Sequence, residues 1–385
     1  MNRVTVIHAI TKLEFGGAQQ NTLYTVANLD RRRFNPVLIT GPQGYLMEEA
    51  RNLGIDMRIS PSLERPIRPC TDARSYLEMV RLMRSFTGGR TIVHTHSSKA
   101  GILGRWAASR ARIPVIVHSI HGFGFTPGQA PMKRWLYRGA ERATSRITDH
   151  FIAVSNSNRE DGIRYGLFEI ERCTVIRSGF DLDRFRGAGH ADEELARDPG
   201  IGPGTPLVLM VACLKPQKAP LDFVRVASRV HRAVPEARFL LAGDGELRGA
   251  LEREIHRSGL EGVFFPLGWR EDIPELMKSS RVVVLTSLWE GLPRVIPQAR
   301  AAGRPVVATA VDGSAEAVRD GVDGYLCQPG DVNAVAERVV RLLENTGEAS
   351  RMGFAGREAV WEWDQETMVT QQEELYERLL REKGI

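Results

Sequence analysis

Short apolar runs alternate with longer amphipathic stretches along almost the whole chain, and the alternation is interrupted once. Runs at 4–10, 36–40, 91–95, 115–118 and 150–154 read as buried strands, with helical candidates at 18–28, 73–86, 99–109 and 132–144 between them. A parallel strand is reached only through a crossover, so strands apolar throughout and separated by helices specify a parallel sheet covered on both faces. The stretch 187–206, GAGHADEELARDPGIGPGTP, is rich in Gly, Pro and charge, and reads as a linker. Strand-like runs then resume at 207–212, 238–241, 263–267, 282–286 and 306–309. The expectation is two doubly wound α/β domains, 1–190 and 205–364, with the long charged segment 365–385 packing back onto the first. Ligands of such sheets bind beyond the carboxyl ends of the strands, which makes a cleft between two such faces the expected active site.

The densest chemistry lies in 287–310, SLWEGLPRVIPQARAAGRPVVATA. It reads as strand end, tight turn, helix, second strand. Pro293 stands where a first helical residue would, and the amides of Gly291, Leu292 and Arg294 lie near the helix opening. Free amides and the helix dipole form an anion seat there. Glu290 precedes that seat and Gln298 follows it, each able to hydrogen-bond a sugar hydroxyl. An anion seat flanked by two such groups suits a nucleotide sugar.

Composition narrows the partners. The net charge is +5, but 65–112 carry ten Lys/Arg against two Asp/Glu, while from 331 onward twelve acids face seven bases. A basic first half is either a solvated face or the footprint of an anionic partner, such as a phospholipid surface or a diphosphate-bearing acceptor. No helix-turn-helix, RNA-recognition or finger pattern occurs, which argues against nucleic acid. Cys70, Cys173, Cys213 and Cys327 form no CxxC, so neither a disulfide frame nor a cysteine zinc site is expected. The opening residues run straight into a strand pattern without a signal-peptide layout, and no apolar run approaches a membrane span. A cytoplasmic protein, peripheral on the inner face of the membrane, is the expectation.

These residues together resemble a family 4 glycosyltransferase of the GT-B fold, and the likeness runs nearly end to end. The family pattern EGLPxxxxEAxAxGxPVVAT stands here as Glu290-Gly-Leu-Pro-Arg-Val-Ile-Pro-Gln298-Ala-Arg-Ala-Ala-Gly-Arg-Pro-Val-Val-Ala-Thr. The resemblance implies that Glu290 contacts the donor sugar and that Gln298, where the family has Glu, meets the ribose. The stretch from Val211 through Lys218 resembles GRLxPxKG, in which an Arg and a Lys grip the diphosphate. Lys218 keeps the Lys, and Cys213 stands at the Arg position, leaving Lys215, Arg294 or Arg177 to compensate. Gly16-Gly17 after the first strand is similar to the family's glycine loop, or is a plain turn. His121 matches a histidine near the transferred sugar. Lys99 and Arg105, in HTHSSKAGILGRWAA, fall on the acceptor side of similar polysaccharide-building enzymes. Gly243 belongs to a GxGxxxxxL match, and Trp269 and Arg270 follow Gly268 in what resembles the base-binding loop. Asn156 and Arg177-Ser-Gly179 resemble elements before the linker. Glu316 is either a pocket residue or an acid favouring a helix dipole.

The implied activity is transfer of a hexose or N-acetylhexosamine from a nucleoside-diphosphate sugar, a UDP-sugar by preference, to a hydroxyl on a lipid-linked or polysaccharide precursor. Retention is implied by the family. A covalent double displacement needs two close carboxylates, and Glu290 is the one acid well placed, which favours proton transfer to the departing phosphate. No metal is expected. His94 and His96 alternate on a strand without an obvious third ligand, and Asp181 and Asp183 fall at a structural turn. The other readings are a GT-B epimerase or phosphorylase, and a non-catalytic nucleotide-sugar-binding protein. Release of diphosphate nucleotide from donors separates the last of these from an enzyme.

Overall fold

The computed structural model describes residues 3–87, 89–125, 129–191, 201–202 and 204–385. Most of the predicted linker, at 192–200 and 203, lies outside the described residues. The chain divides into two compact units, Met1–Gly179 with Gln365–Ile385, and Phe180–Asp364. The change of unit at Gly179–Phe180 comes about ten residues before the predicted boundary at 190. Phe180, Leu182 and Phe185 explain the difference. They are buried in the core of the second unit with Trp363, and the Phe180 amide donates to the Trp363 carbonyl at 3.1 Å.

The first unit holds seven strands: β1 Val4–Ala9, β2 Phe34–Thr40, β3 Asp56–Ile59, β4 Thr91–His96, β5 Val115–Ile120, β6 His150–Ala153 and β7 Cys173–Val175. Their order is β3-β2-β1-β4-β5-β6-β7, parallel throughout. The sequence pattern omitted the two outer strands, because β3 is mostly exposed and β7 is three residues long. Alternation along β1 divides the core: Ile7 and Ala9 face the helices Pro69–Arg84 and Ser98–Arg110, while Val4 and Val6 face the other side. That second face is closed by the chain's last helix, Gln365–Glu382, through Met368, Val369, Leu375, Tyr376, Leu379 and Leu380. Arg33 pairs with Glu373 and Glu377 and pins that helix at the turn before β2.

The second unit holds β8 Leu207–Val211, β9 Arg238–Ala242, β10 Phe264–Gly268, β11 Val282–Leu285, β12 Val306–Thr309 and β13 Gly324–Cys327. Their order, β10-β9-β8-β11-β12-β13, repeats the winding of the first sheet. Val208 and Met210 enter one core and Leu207 and Leu209 the other. Both units are therefore doubly wound α/β folds. In each, the winding reverses between two adjacent strands, β1 and β4 or β8 and β11, and opens a crevice at their carboxyl ends.

Leu380 is fully buried on the last helix. Leu380→Ala is expected to destabilise the first unit by roughly 3 kcal/mol. Urea unfolding should show the transition of that unit moving to lower denaturant while the transition of the second unit stays in place.

Candidate functional site

In the second unit, four loops converge at the reversal point. After β8 the chain makes a one-turn helix, Pro216–Lys218, and passes through Ala219 at φ 43° and ψ 54°. This left-handed conformation costs an L-residue about 1 kcal/mol, and Thr286 Oγ1, at 3.0 Å from the carbonyls of both Lys218 and Ala219, braces it. The Leu288 amide donates to the Gln217 carbonyl at 2.8 Å, stitching the loop after β11 to the same turn. Gly243 after β9 has φ 135°, and a Cβ there would overlap the Ala212 carbonyl, so glycine is required. Likewise a Cβ on Gly313 would overlap the Gly291 carbonyl, which brings the loop after β12 against the Glu290 turn. The Glu290 amide donates to Asp312 Oδ2 at 2.8 Å, joining the same two loops a second time.

This framework brings together two predicted residues 72 positions apart. Lys218 Nζ donates to Glu290 Oε1 as an ion pair, and Ser287 Oγ donates to the same oxygen at 2.6 Å. Glu290 is 7 % exposed. Gln217 Nε2 approaches its other oxygen at 3.4 Å. Lys218 keeps some solvent contact, its side chain being 20 % exposed. The arrangement is a held carboxylate beside a reachable cation, able to exchange its internal pairing for an outside anion and a hydroxyl donor.

The predicted helix mouth is shifted. The helix runs Val295–Ala301 with Arg294 at its N-cap, so Pro293 precedes it rather than opening it. Pro297 is the reason. It falls on the third helical residue, where its missing N–H costs nothing. A helix begun at Pro293 would set the Pro297 ring against the Pro293 carbonyl four residues back. Instead the Ile296 amide donates to that carbonyl at 3.2 Å in a tighter turn. Gly291 and Leu292 lie in the loop before the helix, and Gln298 is half-buried within it. Burial lowers the Arg294 guanidinium to about 10, which leaves it charged at neutral pH. Lys215 is exposed and Cys213 half-buried. Trp269 is 57 % exposed after Gly268, and Arg270 is engaged with Asp272 at 2.7 and 2.6 Å.

In the first unit, Gly17 opens the helix Gly17–Asn28, with Gly16 extended before it. A recess of about 780 Å³ lies at the carboxyl ends of the strands, lined by Gln19, Arg65, Lys99, His121, Lys133 and Tyr137 among others. Lys99 reaches it while pairing with Asp72 and donating to the Pro66 carbonyl. Arg105 departs from its predicted place on the acceptor side. It is fully buried, donates to Glu141 Oε2 at 2.6 Å and to the Gly101 carbonyl at 2.8 Å, and is not among the residues lining the recess. From behind the wall it pairs with Glu141, which itself lines the recess. Asn156 begins the helix Asn156–Arg164 and accepts from Arg159 at 3.0 Å. Asp181 caps the helix Leu182–Arg186, accepting from the Arg184 amide at 2.9 Å. Glu316 lies in the short helix Ser314–Ala317.

The third histidine that the spacing of His94 and His96 did not supply comes from β1. His8 pairs in register with His94, and ring nitrogens of His8, His94 and His96 lie within 4.8 Å of one another. Burial pushes His8 down to about 3 and holds His94 and His96 well below the usual histidine range. His8, Gln217, Thr286 and Asp312 were missed from the sequence. The first was findable, since β1 and β4 are neighbours in any sheet of this winding.

Comparison with known proteins places the chain. Residues 15–184 match the model of "Glycosyltransferase Family 4" and residues 205–345 that of "Glycosyl transferases group 1". The chain is 30% identical over 351 residues to an Escherichia coli UDP-Gal:alpha-D-GlcNAc-diphosphoundecaprenol alpha-1,3-galactosyltransferase, covering 89% of each chain. It is 24% identical to a Campylobacter jejuni N,N'-diacetylbacillosaminyl-diphospho-undecaprenol alpha-1,3-N-acetylgalactosaminyltransferase, covering 91% of this chain and 93% of that one. Among solved structures, Anabaena HepE in complex with UDP-glucose superposes with a TM-score of 0.83 at 22% identity, over 98% of this chain and 100% of that one. The chain belongs to the family 4 glycosyltransferases and has their GT-B fold; it is a transferase.

The buried Arg105–Glu141 pair yields a prediction. Arg105→Leu strands a buried carboxylate and is expected to cost about 3–5 kcal/mol of stability in the first unit. Where the variant remains folded, the unfolding transition of the second unit should stay where it is in the wild type.

Proposed function

We propose that this enzyme transfers a hexose or N-acetylhexosamine from a UDP-sugar to a hydroxyl of a polyprenyl-diphosphate-linked saccharide, with retention at the anomeric carbon. The observation that carries the reading is the Lys218–Glu290 pair, assembled from separate loops at the crevice of the second unit. The two relatives that act on diphosphoundecaprenol-linked substrates support the acceptor class. The Anabaena structure with UDP-glucose and the UDP-Gal of the Escherichia coli relative support the donor.

On this reading the donor diphosphate takes Lys218 from Glu290. Two nearby charges of opposite sign attract by about 4 kcal/mol at 4 Å in an effective dielectric of 20, and a diphosphate offers Lys218 more charge than one carboxylate. Glu290 then accepts a hydrogen bond from a sugar hydroxyl, still held by Ser287 and by its own amide on Asp312. The bond from the anomeric carbon to phosphate oxygen breaks. The acceptor oxygen bonds that carbon on the same face, and its proton passes to the departing phosphate oxygen. Lys218, with Arg294 and the loop amides of Gly291 and Leu292, stabilises the charge left on UDP. The same reading assigns Gln298 to the ribose, Gly243, Trp269 and Arg270 to the base, and His121, Gly16 and Gly17 to sugar contacts. This route assigns no step to a metal.

The helix Pro131–Ser145 supports a peripheral membrane location. Met132, Trp135 and Leu136 are 69, 70 and 54 % exposed, amid exposed Lys133, Arg134, Arg138 and Arg142. Exposed apolar groups flanked by cations suit the interface of an anionic bilayer, and Lys133 and Tyr137 of this helix line the recess. No helix among the described residues is long and apolar enough to cross a membrane.

A thermal-shift screen across UDP-, GDP- and ADP-sugars tests the donor, since a bound donor stabilises the fold by mass action. A UDP-sugar should raise the midpoint most; a larger shift with GDP- or ADP-sugars overturns the assignment. Glu290→Gln is expected to lower turnover by about a hundredfold while changing donor affinity only a few-fold. Unchanged turnover removes Glu290 from the site. In sedimentation assays the protein should pellet with anionic vesicles at low salt and be released near 1 M salt, where the screening length falls to about 3 Å. Equal pelleting with neutral vesicles contradicts the electrostatic part of this surface.

A further inference from the structure

The strands that carry the crevice at their carboxyl ends carry a second polar pocket at the other end. Arg281 stands directly before β11, and Arg304 stands before β12, separated from it by Pro305. The helix Ile273–Ser279 brings Lys278 to the same place, and the helix Thr346–Glu358 brings Ser350, Phe354 and Arg357. These side chains line a pocket of about 240 Å³. A Cβ on Gly353 would overlap the Gly303 carbonyl, so the second helix lies directly against the turn before β12. Nothing negative offsets the four cations. Among the described residues none of them forms an ion pair, and Glu275 and Glu358, the acids nearest in sequence to Lys278 and Arg357, pair with none of them. Glu348 is committed to Arg341, and Asp323 to Arg300 and Arg319. Burial lowers Lys278, and the positive charges of Arg304 and Arg357 lower it further; burial and then Arg281 do the same to Arg304.

We propose that this pocket binds a phosphate group, carried by a free phosphate or diphosphate or by a lipid headgroup. The cations are poorly used by the protein itself. Arg304 donates to the Lys278 carbonyl, and its Nε is buried without an acceptor. Arg357 donates to the Arg186 carbonyl at 3.4 Å, the far edge of hydrogen-bonding range. The Lys278 ammonium and the Arg281 guanidinium make no hydrogen bond to the protein among the described residues. Helix ends do not account for so much charge. The helices Ile273–Ser279, Val295–Ala301 and Thr346–Glu358 finish beside the pocket, and each end carries roughly half a negative charge, so together they offset about one and a half of four positive charges. Guanidinium forks and an ammonium are the groups that hold phosphate oxygens. The volume falls below the roughly 300–1,000 Å³ that enclose a whole small molecule, which suits one compact anion and argues against a second nucleotide-sugar site. Phe354, 67 % exposed, offers an apolar contact to whatever bears the phosphate. The four residues of β11, roughly 13 Å of strand, separate the pocket from the loop of Glu290, so the site stands independently of the reading of the crevice.

The test titrates inorganic diphosphate into the full-length protein by calorimetry at fixed ionic strength. The pocket variant is Lys278→Gln with Arg281→Gln, which removes the two cations that hold no protein acceptor. Lys218→Gln removes the cation of the crevice, and Arg232→Gln with Arg253→Gln, two exposed residues of the same unit, matches the change in net charge. A binding event should survive Lys218→Gln and the charge-matched control, and weaken at least about tenfold in the pocket variant. A second arm measures pelleting with vesicles of phosphatidylglycerol in a neutral phospholipid. Pelleting lost in the pocket variant alone, with weak binding of free diphosphate, identifies a headgroup as the source; tight diphosphate binding with unchanged pelleting identifies a free anion. If the pocket variant changes neither measurement the site is overturned, as it is by an equal loss in the charge-matched control. Thermal unfolding closes the remaining case. Without phosphate the pocket variant should be at least as stable as the wild type, since it relieves repulsion. A variant that fails to fold, or that is less stable without phosphate, assigns these cations to packing and overturns the proposal.

Discussion

A parallel sheet can be extended only by crossovers, and a sheet that winds outward in both directions from its middle must leave its central loops diverging. That constraint acts twice in this chain. Between β8 and β11 it leaves the crevice that holds Lys218 and Glu290, and between β1 and β4 it leaves the loops of Thr11 and Ser97. There Thr11 Oγ1 lies 2.9 Å from Ser97 Oγ, and the Ala100 amide donates to Thr11 at 3.1 Å. Ser97 adopts φ 60° to make this possible. Ser97 directly after β4 and Ala219 in the loop after β8 both have positive φ, each on a loop beside a reversal point. Backbone strain of this kind persists where surrounding bonds over-determine it, and here hydroxyls do so: Thr11 beside Ser97 and Thr286 beside Ala219.

The winding of both units was legible because it rests on buried strands whose apolar content is unbroken, such as 207–212 and 306–309. The outer strands β3, β7 and β13 were not: β3 is mostly exposed, β7 has three residues, and β13 is a four-residue strand that opens on a glycine. Glu290 and Lys218 were legible singly, through the stretches that resemble family 4 patterns, but their pairing is a property of the crevice. The start of the helix at Val295 was misplaced because Pro293 was weighed without Pro297, although the two together leave one register for the helix. Arg105 was misplaced for a different reason. It was placed by the resemblance of its stretch to acceptor-side segments, and nothing local announces that Glu141, 36 residues on, will pair with it.

The two ion pairs differ in what burial allows them to do. Arg105 is fully buried and its carboxylate partner nearly so, with side-chain exposures of 0 and 11 %. Neither charge can change partner without leaving the other stranded, which makes the pair a fixed internal joint. In the crevice the exposures are 20 % for Lys218 and 5 % for Glu290. The carboxylate keeps Ser287 as a donor when the lysine departs, and the lysine faces solvent, so exchange with an incoming anion strands nothing.

The histidine face invites the same comparison with an apolar alternative. Leucine or valine at positions 8, 94 and 96 would bury as well and would spare the last helix its tyrosine, so the fold does not require imidazoles there. Instead, Tyr376 is committed to His94 and to Gln372 Oε1 at 3.3 Å, and Gln372 reaches Thr25 at 3.4 Å. The polar bonds thus pass from β4 through the last helix to the helix that Gly17 opens. Since 365–385 follow the entire second unit in the chain, this face of the first unit is completed by residues that come after the second unit. A helix recruited from so far, matched ring by ring to a buried polar sheet face, fixes that face in one arrangement where apolar packing alone would tolerate several.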